Sequence, residues 1–201
     1  MSANDLPARR DAEGRPAVLA CGALAVHVQA FARRRGLELD VRPLPALLHN
    51  RPEKIAPAVK EALDDDVVAV AYADCGTYGA LDAVLGDVPR LAGAHCYDVL
   101  AGPQAQAALA EEPGTYLLTD FLARTFEHTV LRQLGLDRHP SLRDAYFGNY
   151  TRVLWLAQHP TPATRAAAER AAAAIGLSLE QREVGDAGLE RALEALQLVP
   201  V

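Results

Sequence analysis

The stretch RLAGAHCYDVLAG, residues 90–102, sets a His, a Cys, a Tyr and an Asp side by side between small apolar flanks. The chain has 3 cysteines, and the other two sit in comparable places: Cys21 closes the run PAVLAC, and Cys75 follows VVAVAYAD. Thiolates are soft ligands for zinc and iron–sulfur clusters, and they are also the nucleophiles of metal-free thiol enzymes. Cys21, Cys75 and Cys96 with a histidine would supply the sulfur and nitrogen donors of a tetrahedral zinc site. A catalytic zinc keeps one position open, where a water or substrate thiol is ionised. His95 is the first candidate for the histidine, and His49 in LHNRPEKI is the second. Three thiolates alone would suit a [4Fe-4S] cluster with one open iron. No C-x-x-C pair is present, so the motif does not fix the ligand set. The plain alternative is that the cysteines are small apolar core residues.

Other residues carry weaker signals. Asp74, beside Cys75, could orient a ligating histidine, or it could cap the following turn. Asp120 could point into the same cleft, or it could cap a helix. If His95 and Cys96 lie on a strand, their side chains point to opposite faces, which disfavours a dyad between them. Tyr97 could shape or serve the reacting site. In YFGNY, Asn149 and Tyr150 could belong to a lid that binds a cofactor, or to plain packing before the next strand. His27, His128 and His159 read as surface or loop residues without a role. No G-x-G-x-x-G, P-loop or H-E-x-x-H pattern occurs, so nucleotide and zincin chemistry have no support.

What must hold these residues is an alternation of strands and helices. Apolar runs over PAVLAC, VVAVAYA and RVLWLAQ predict buried parallel strands. LELDVRPL and SLEQREV predict weaker strands, and PRLAGAHC a further short one. Helices are expected after Cys21, across IAPAVKEAL with Asn50 and Glu53 as a capping pair, around Leu81 and Leu85, and over LERALEAL. TPATRAAAERAAAAIG has Thr161 as cap, Pro162 in the first turn and Gly176 just beyond its end. A long amphipathic helix is predicted through Leu118, Phe121, Leu122, Thr125 and Val130. The fold class is therefore α/β: a mainly parallel sheet with helices on both faces, in a Rossmann-like three-layer sandwich. Read forward, the strand ends carry Cys21, His49, Asp74-Cys75 and His95-Cys96. They gather on one edge, where open α/β sheets bind ligands.

At 201 residues the chain can make one sizeable domain or two small lobes; residues 16–201 are read as one α/β domain after a disordered lead-in over 1–15. A net charge of −6 argues against nucleic-acid and anionic-membrane partners, and a run such as Arg33-Arg34-Arg35 reads as a solvated helix face. The polar start MSANDLPARRDAEGR is unlike a secretory segment, so the expected location is cytoplasmic, where disulfide frameworks are rare. A small-molecule substrate is expected.

The segments ACGAL, LHNRPEKI, YADCGTYGALD, GAHCYDVLAG, EPGTYLLTDFLAR and YFGNYTRVLWLAQ together resemble the bacterial and archaeal domain-of-unknown-function family 1638. The chain departs from that pattern at Asp98, where Glu is expected, and at Ala73, where Gly is usual. The resemblance brings no defined reaction. Its members accompany corrinoid proteins and corrinoid-dependent methyltransferases, which implies a place in one-carbon metabolism. Residues and resemblance together give a thiolate metal protein acting on a small molecule, with zinc favoured over an iron–sulfur cluster. The alternatives are a non-catalytic metal or cofactor carrier of a corrinoid methyltransferase system, and a metal-free Cys-dependent isomerase or hydrolase.

Overall fold

The computed structural model describes residues 15–198, so the lead-in expected to be disordered lies, apart from Arg15, outside the described residues. The fold is α/β and Rossmann-like, with its parallel strands divided between two three-stranded sheets. The chain forms two compact units. One runs up to Val99 and takes the chain back from Leu189, and the other spans Leu100–Gly188.

The first unit opens with β1 (Ala17–Cys21), α1 (Ala25–Arg35), β2 (Asp40–Leu44), α2 (Ile55–Ala62), β3 (Val67–Ala71), α3 (Ala80–Leu85) and the start of α4 (Cys96–Ala101). Its sheet has the order β2-β1-β3, with both pairings parallel. All five residues of β1 are wholly buried, as the central strand of a covered parallel sheet requires. The chain crosses from β1 to β2 on one side and then returns to β3 on the other. Sheets with such a reversal usually bind ligands beyond the strands' carboxyl ends at that point.

The second unit contains α5 (Pro103–Glu111), β4 (Thr115–Thr119), α6 (Asp120–Phe126), α7 (Arg143–Phe147), β5 (Arg152–Ala157), α8 (Pro162–Ile175) and β6 (Ser178–Glu183). Its sheet runs β4-β5-β6 in chain order, so it has no reversal. The alanine face of α8 (Ala167, Ala168, Ala171, Ala172) packs with Phe126 and the fully buried Trp155 in the core. Asp120, almost wholly buried, accepts from Trp155 Nε1 at 2.8 Å and from the His159 backbone N–H at 2.8 Å. It therefore ties the end of β4 to the end of β5.

α9 (Ala187–Ala195) closes the chain. Arg34 pairs with Glu190 at 2.5 Å, and Arg35 with Glu194, so two residues of the basic run are salt-bridged to α9. Exposed pairs of this kind contribute about 0–1 kcal/mol.

Four local expectations change. PRLAGAHC makes only a single bridge, Arg90 to Val70, and Cys96 begins a helix. α2 starts at Ile55 after two short 3-10 turns, with Lys54 and not Asn50 at its N-cap and no side-chain cap. Pro57 then falls in the first turn, where its missing N–H costs nothing. The long helix is shorter than expected, because β4 keeps Leu118 and Thr119 caps α6 by accepting from the Leu122 N–H. It passes into a π-helical turn over Glu127–Leu131, where Thr125 and Thr129 donate back to the carbonyls of Phe121 and Thr125. Finally, His27 is buried on α1 rather than exposed.

Thr161 caps α8 as the sequence indicates, accepting from the Thr164 N–H at 3.1 Å, and Gly176 ends the helix at φ 74°. Thr161→Ala is expected to lower stability by about 1 kcal/mol in a urea titration, with the denaturant slope unchanged.

Candidate metal centre

Three loops at the carboxyl edge of the first sheet bring the chemistry together. Cys21 ends β1, and Gly22 follows it. A Cβ on Gly22 would meet the Leu44 carbonyl at 2.7 Å and the Ala46 nitrogen at 3.0 Å. Only a glycine lets the β1 loop pass so close to the segment leaving β2. That segment winds through a 3-10 turn over Ala46–Asn50 and carries His49 back over Cys21. The third loop leaves β3 through Tyr72 to Cys75. There the backbone N–H groups of Asp74 and Cys75 donate to the Gly93 and Ala94 carbonyls at 3.1 and 2.8 Å. This stitching sets Cys75 beside Cys96, the first residue of α4.

Cys21 Sγ lies 3.8 Å from both ring nitrogens of His49, and Cys96 Sγ lies 3.7 Å from His49 Nε2. The donor atoms of Cys21, His49 and Cys96 all fall within 4.8 Å of one another. A sulfur at 2.3 Å and a nitrogen at 2.0 Å on one tetrahedral zinc would sit about 3.5 Å apart, so this spacing fits the metal with little adjustment. His49 Nδ1 is 3.3 Å from the Ala46 carbonyl. In the tautomer that donates there, Nε2 is free as a ligand, the usual arrangement of a metal-bound histidine. Cys75 Sγ lies 3.2 Å from Cys96 Sγ.

Charge follows from these contacts. The bond from Cys96 and the neighbouring His49 hold Cys75 down at about 5, against burial. The same partners pull Cys21 well below the ordinary thiol range, while Cys96, hydrogen-bonded to both thiolates and buried, is pushed well above it. Burial lowers His49, but its contacts with Cys21 and Cys75 outweigh that and raise it to about 10. Cys21 and Cys75 thus give up their protons more readily than an ordinary thiol, while His49 and Cys96 hold theirs more tightly. A divalent cation would replace the protons on His49 and Cys96.

The family model described as "Protein of unknown function (DUF1638)" matches residues 43–193. This chain belongs to that family. The match includes three members of the cluster, His49, Cys75 and Cys96, and begins after Cys21. No curated protein and no solved structure matches this DUF1638 protein.

The structure redistributes the other candidates. His49, not His95, accompanies the thiols: His95 is exposed just before α4, where its backbone N–H donates to the Asp98 carboxylate and its carbonyl accepts from the Asp98 N–H, both at 3.0 Å. Asp74 is committed to its own turn. It accepts from Thr77 Oγ1 at 2.8 Å and from the Tyr78 and Gly79 N–H groups at 3.0 Å, the capping arrangement. Tyr97 is half-buried on the first turn of α4. Asn149 and Tyr150 belong to the second unit. Asn149 is exposed there, and the Tyr150 ring meets Tyr116 at 5.3 Å and Phe147 at 5.9 Å. That is the packing alternative rather than a lid.

Sequence reasoning missed Tyr72. It is wholly buried, stacks on His49 with centroids 5.3 Å apart, and its hydroxyl has no hydrogen-bond partner among the described residues. Burial, then the charge of Cys21 and Cys96, drives its proton affinity up, so it stays a donor. A hydroxyl at the end of the apolar run VVAVAYA was the available signal.

Hydrogen bonds from Gly79, Thr77 and Tyr78 hold the Asp74 carboxyl at about 2, against burial. A depressed carboxyl stabilises the fold above the ordinary carboxylate range, and that contribution fades as pH falls through its folded value. Asp74→Ala should therefore cost about 1 kcal/mol at pH 7. The gap to wild type should close near pH 2, as read from denaturation curves at the two pH values.

Proposed function

We propose that the cluster is a zinc site acting on a small molecule, within the corrinoid-linked one-carbon metabolism implied by the family resemblance. The observation that carries this reading is the convergence of Cys21, His49 and Cys96 donor atoms within 4.8 Å. A histidine among the donors favours zinc over a [4Fe-4S] cluster, which takes thiolates. Bound zinc supplies a Lewis acid that lowers the proton affinity of a water or thiol at its open position. The chain does the rest: the Ala46 carbonyl orients His49, Gly22 admits its loop, and the Tyr72 hydroxyl offers a hydrogen bond to an acceptor at the cluster. If Cys75 instead completes a four-ligand shell, the site is closed and the protein is a metal carrier or accessory of a corrinoid protein or methyltransferase.

A second reading has its own support. Cys75 held at about 5 beside His49 raised to about 10 is a thiolate–imidazolium arrangement, the basis of a metal-free Cys-dependent isomerase or hydrolase.

Elemental analysis with an ultraviolet–visible spectrum, on untagged protein purified without oxygen, separates the readings. The expected result is zinc near one equivalent with no visible absorption. His49→Ala and Cys96→Ser should then each weaken zinc binding by at least about tenfold. Iron with matching sulfide and a broad brown absorbance would replace zinc by the cluster. No metal after reconstitution would leave the thiolate–imidazolium reading.

A further inference from the structure

One pair of sulfurs in the cluster carries a second chemistry. At 3.2 Å, Cys75 and Cys96 are nearer than the roughly 3.8 Å that two thiolates keep on one tetrahedral zinc. Cys75 also stands outside the Cys21–His49–Cys96 donor group. We propose that Cys75 and Cys96 form a reversible dithiol–disulfide couple, oxidised by small-molecule disulfides and re-reduced by small thiols. The couple rests on sulfur geometry alone; only its effect on a bound metal rests on the zinc reading.

The local backbone is built to hold this pair. Cys75 sits at φ 49°, a left-handed conformation uncommon for a residue with a side chain, and Gly76 follows at φ 83°. Such positions persist only where the surroundings enforce them. Here the bonds from Asp74 and Cys75 to Gly93 and Ala94 do so, and they pin the two cysteine-bearing loops directly to each other. On the far side, Asp98 accepts from the N–H groups of Ala94 and His95 at 3.2 and 3.0 Å, fixing the turn that presents Cys96. Gly93, at φ 113°, packs where a Cβ would meet Asp98 Cβ at 3.3 Å. A disulfide needs about 2.05 Å between sulfurs, so they must close by roughly 1.1 Å. That is a small rotation of two side chains on an anchored backbone. Cys21, whose sulfur also lies within 4.8 Å of Cys96, sits at the end of a fully buried strand with the His49 ring against it.

The chemistry balances without a further reactant. The Cys75 thiolate attacks one sulfur of a reagent disulfide RS–SR, forming Cys75–S–SR and releasing RS⁻. Cys96 gives its proton to that thiolate and attacks the Cys75 sulfur, forming the Cys75–Cys96 bond and releasing the second RS⁻. The protein dithiol loses two electrons, and one reagent disulfide becomes one thiol and one thiolate. Where a metal occupies the cluster, oxidation removes Cys96 as a ligand and leaves Cys21 and His49 as two donors, fewer than zinc sites use. Oxidation thus ejects the metal, and reduction restores its site.

The test uses the full-length protein, reduced, stripped of metal by a chelator and incubated without oxygen with glutathione disulfide. After an acid quench, thiols are alkylated under denaturing conditions and the peptides are mapped by mass spectrometry. The expected result is loss of two of the three alkylatable thiols, one cross-linked peptide pair joining Cys75 to Cys96, an alkylated Cys21, and full reversal by dithiothreitol. Three alkylatable thiols, a persistent mixed disulfide, or a cross-link through Cys21 would overturn the couple. Peptide mapping on the wild type needs no variant to fold. Repeating the incubation on zinc-loaded protein separates the two proposals. Cross-linking with stoichiometric zinc release supports both; cross-linking of the metal-free protein alone keeps the couple and overturns its effect on the metal; zinc binding with no cross-linking in either form removes the couple and leaves the zinc site. Cross-linking in protein that never takes up zinc keeps the couple and removes the zinc site.

Discussion

The hydrogen bond from the Cys75 N–H to the Ala94 carbonyl, with its neighbour from Asp74 to Gly93, is what the rest of the cluster depends on. These two bonds join segments that would otherwise be independent loops at the sheet edge, and they force Cys75 into the left-handed region. Asp74 supports them from below by filling the turn with its carboxylate, and Asp98 supports them from above by closing the turn into α4. The sheet contributes the remaining constraint. With β1 in the middle and the chain reversing direction around it, Cys21 emerges at the one place where loops from both flanking strands can reach. Gly22 then decides how near the His49 loop can come.

Placing several partly or wholly buried ionisable groups together carries an electrostatic cost, and the cluster offsets it internally. Removing thiolates from water is unfavourable, yet each has a proton donor or an imidazolium beside it. Contacts with Cys21 and Cys75 make both Cys96 and His49 hold their protons more tightly. Such a set is poised to exchange protons for a cation. The buried Tyr72 hydroxyl, lacking a partner among the described residues, leaves one donor at the cluster unused. An unmet buried hydroxyl is costly in a finished core and ordinary in a ligand site.

Much of this was legible in the residues themselves. The apolar runs over Val67–Ala71 and Arg152–Ala157 could be little else than covered strands, and Thr161, Pro162 and Gly176 punctuate α8 at both ends. The ends of the apolar runs put Cys21, Cys75 and Cys96 on one edge of the sheet. What could not be read was set by contacts distant in sequence. His95 looks like the ligand because it adjoins Cys96, but the helix that starts at Cys96 leaves it exposed, and His49 arrives from 28 residues beyond Cys21. Asp74 was ambiguous because capping a turn and orienting a histidine use the same carboxylate. Tyr72 was hidden inside a run whose apolar neighbours make it look like core. The expected strand before His95 failed because Pro89, Gly93 and the turn at Ala94 leave room for a single bridge.

The most direct measurement is zinc X-ray absorption on the loaded, reduced protein, because it counts sulfur and nitrogen neighbours and their distances together. The structure calls for two sulfurs near about 2.3 Å and one imidazole nitrogen near about 2.0–2.1 Å, from Cys21, Cys96 and His49. A first shell of oxygen and nitrogen alone, or of sulfur without imidazole, would contradict the assignment of this cluster as a Cys–His zinc centre.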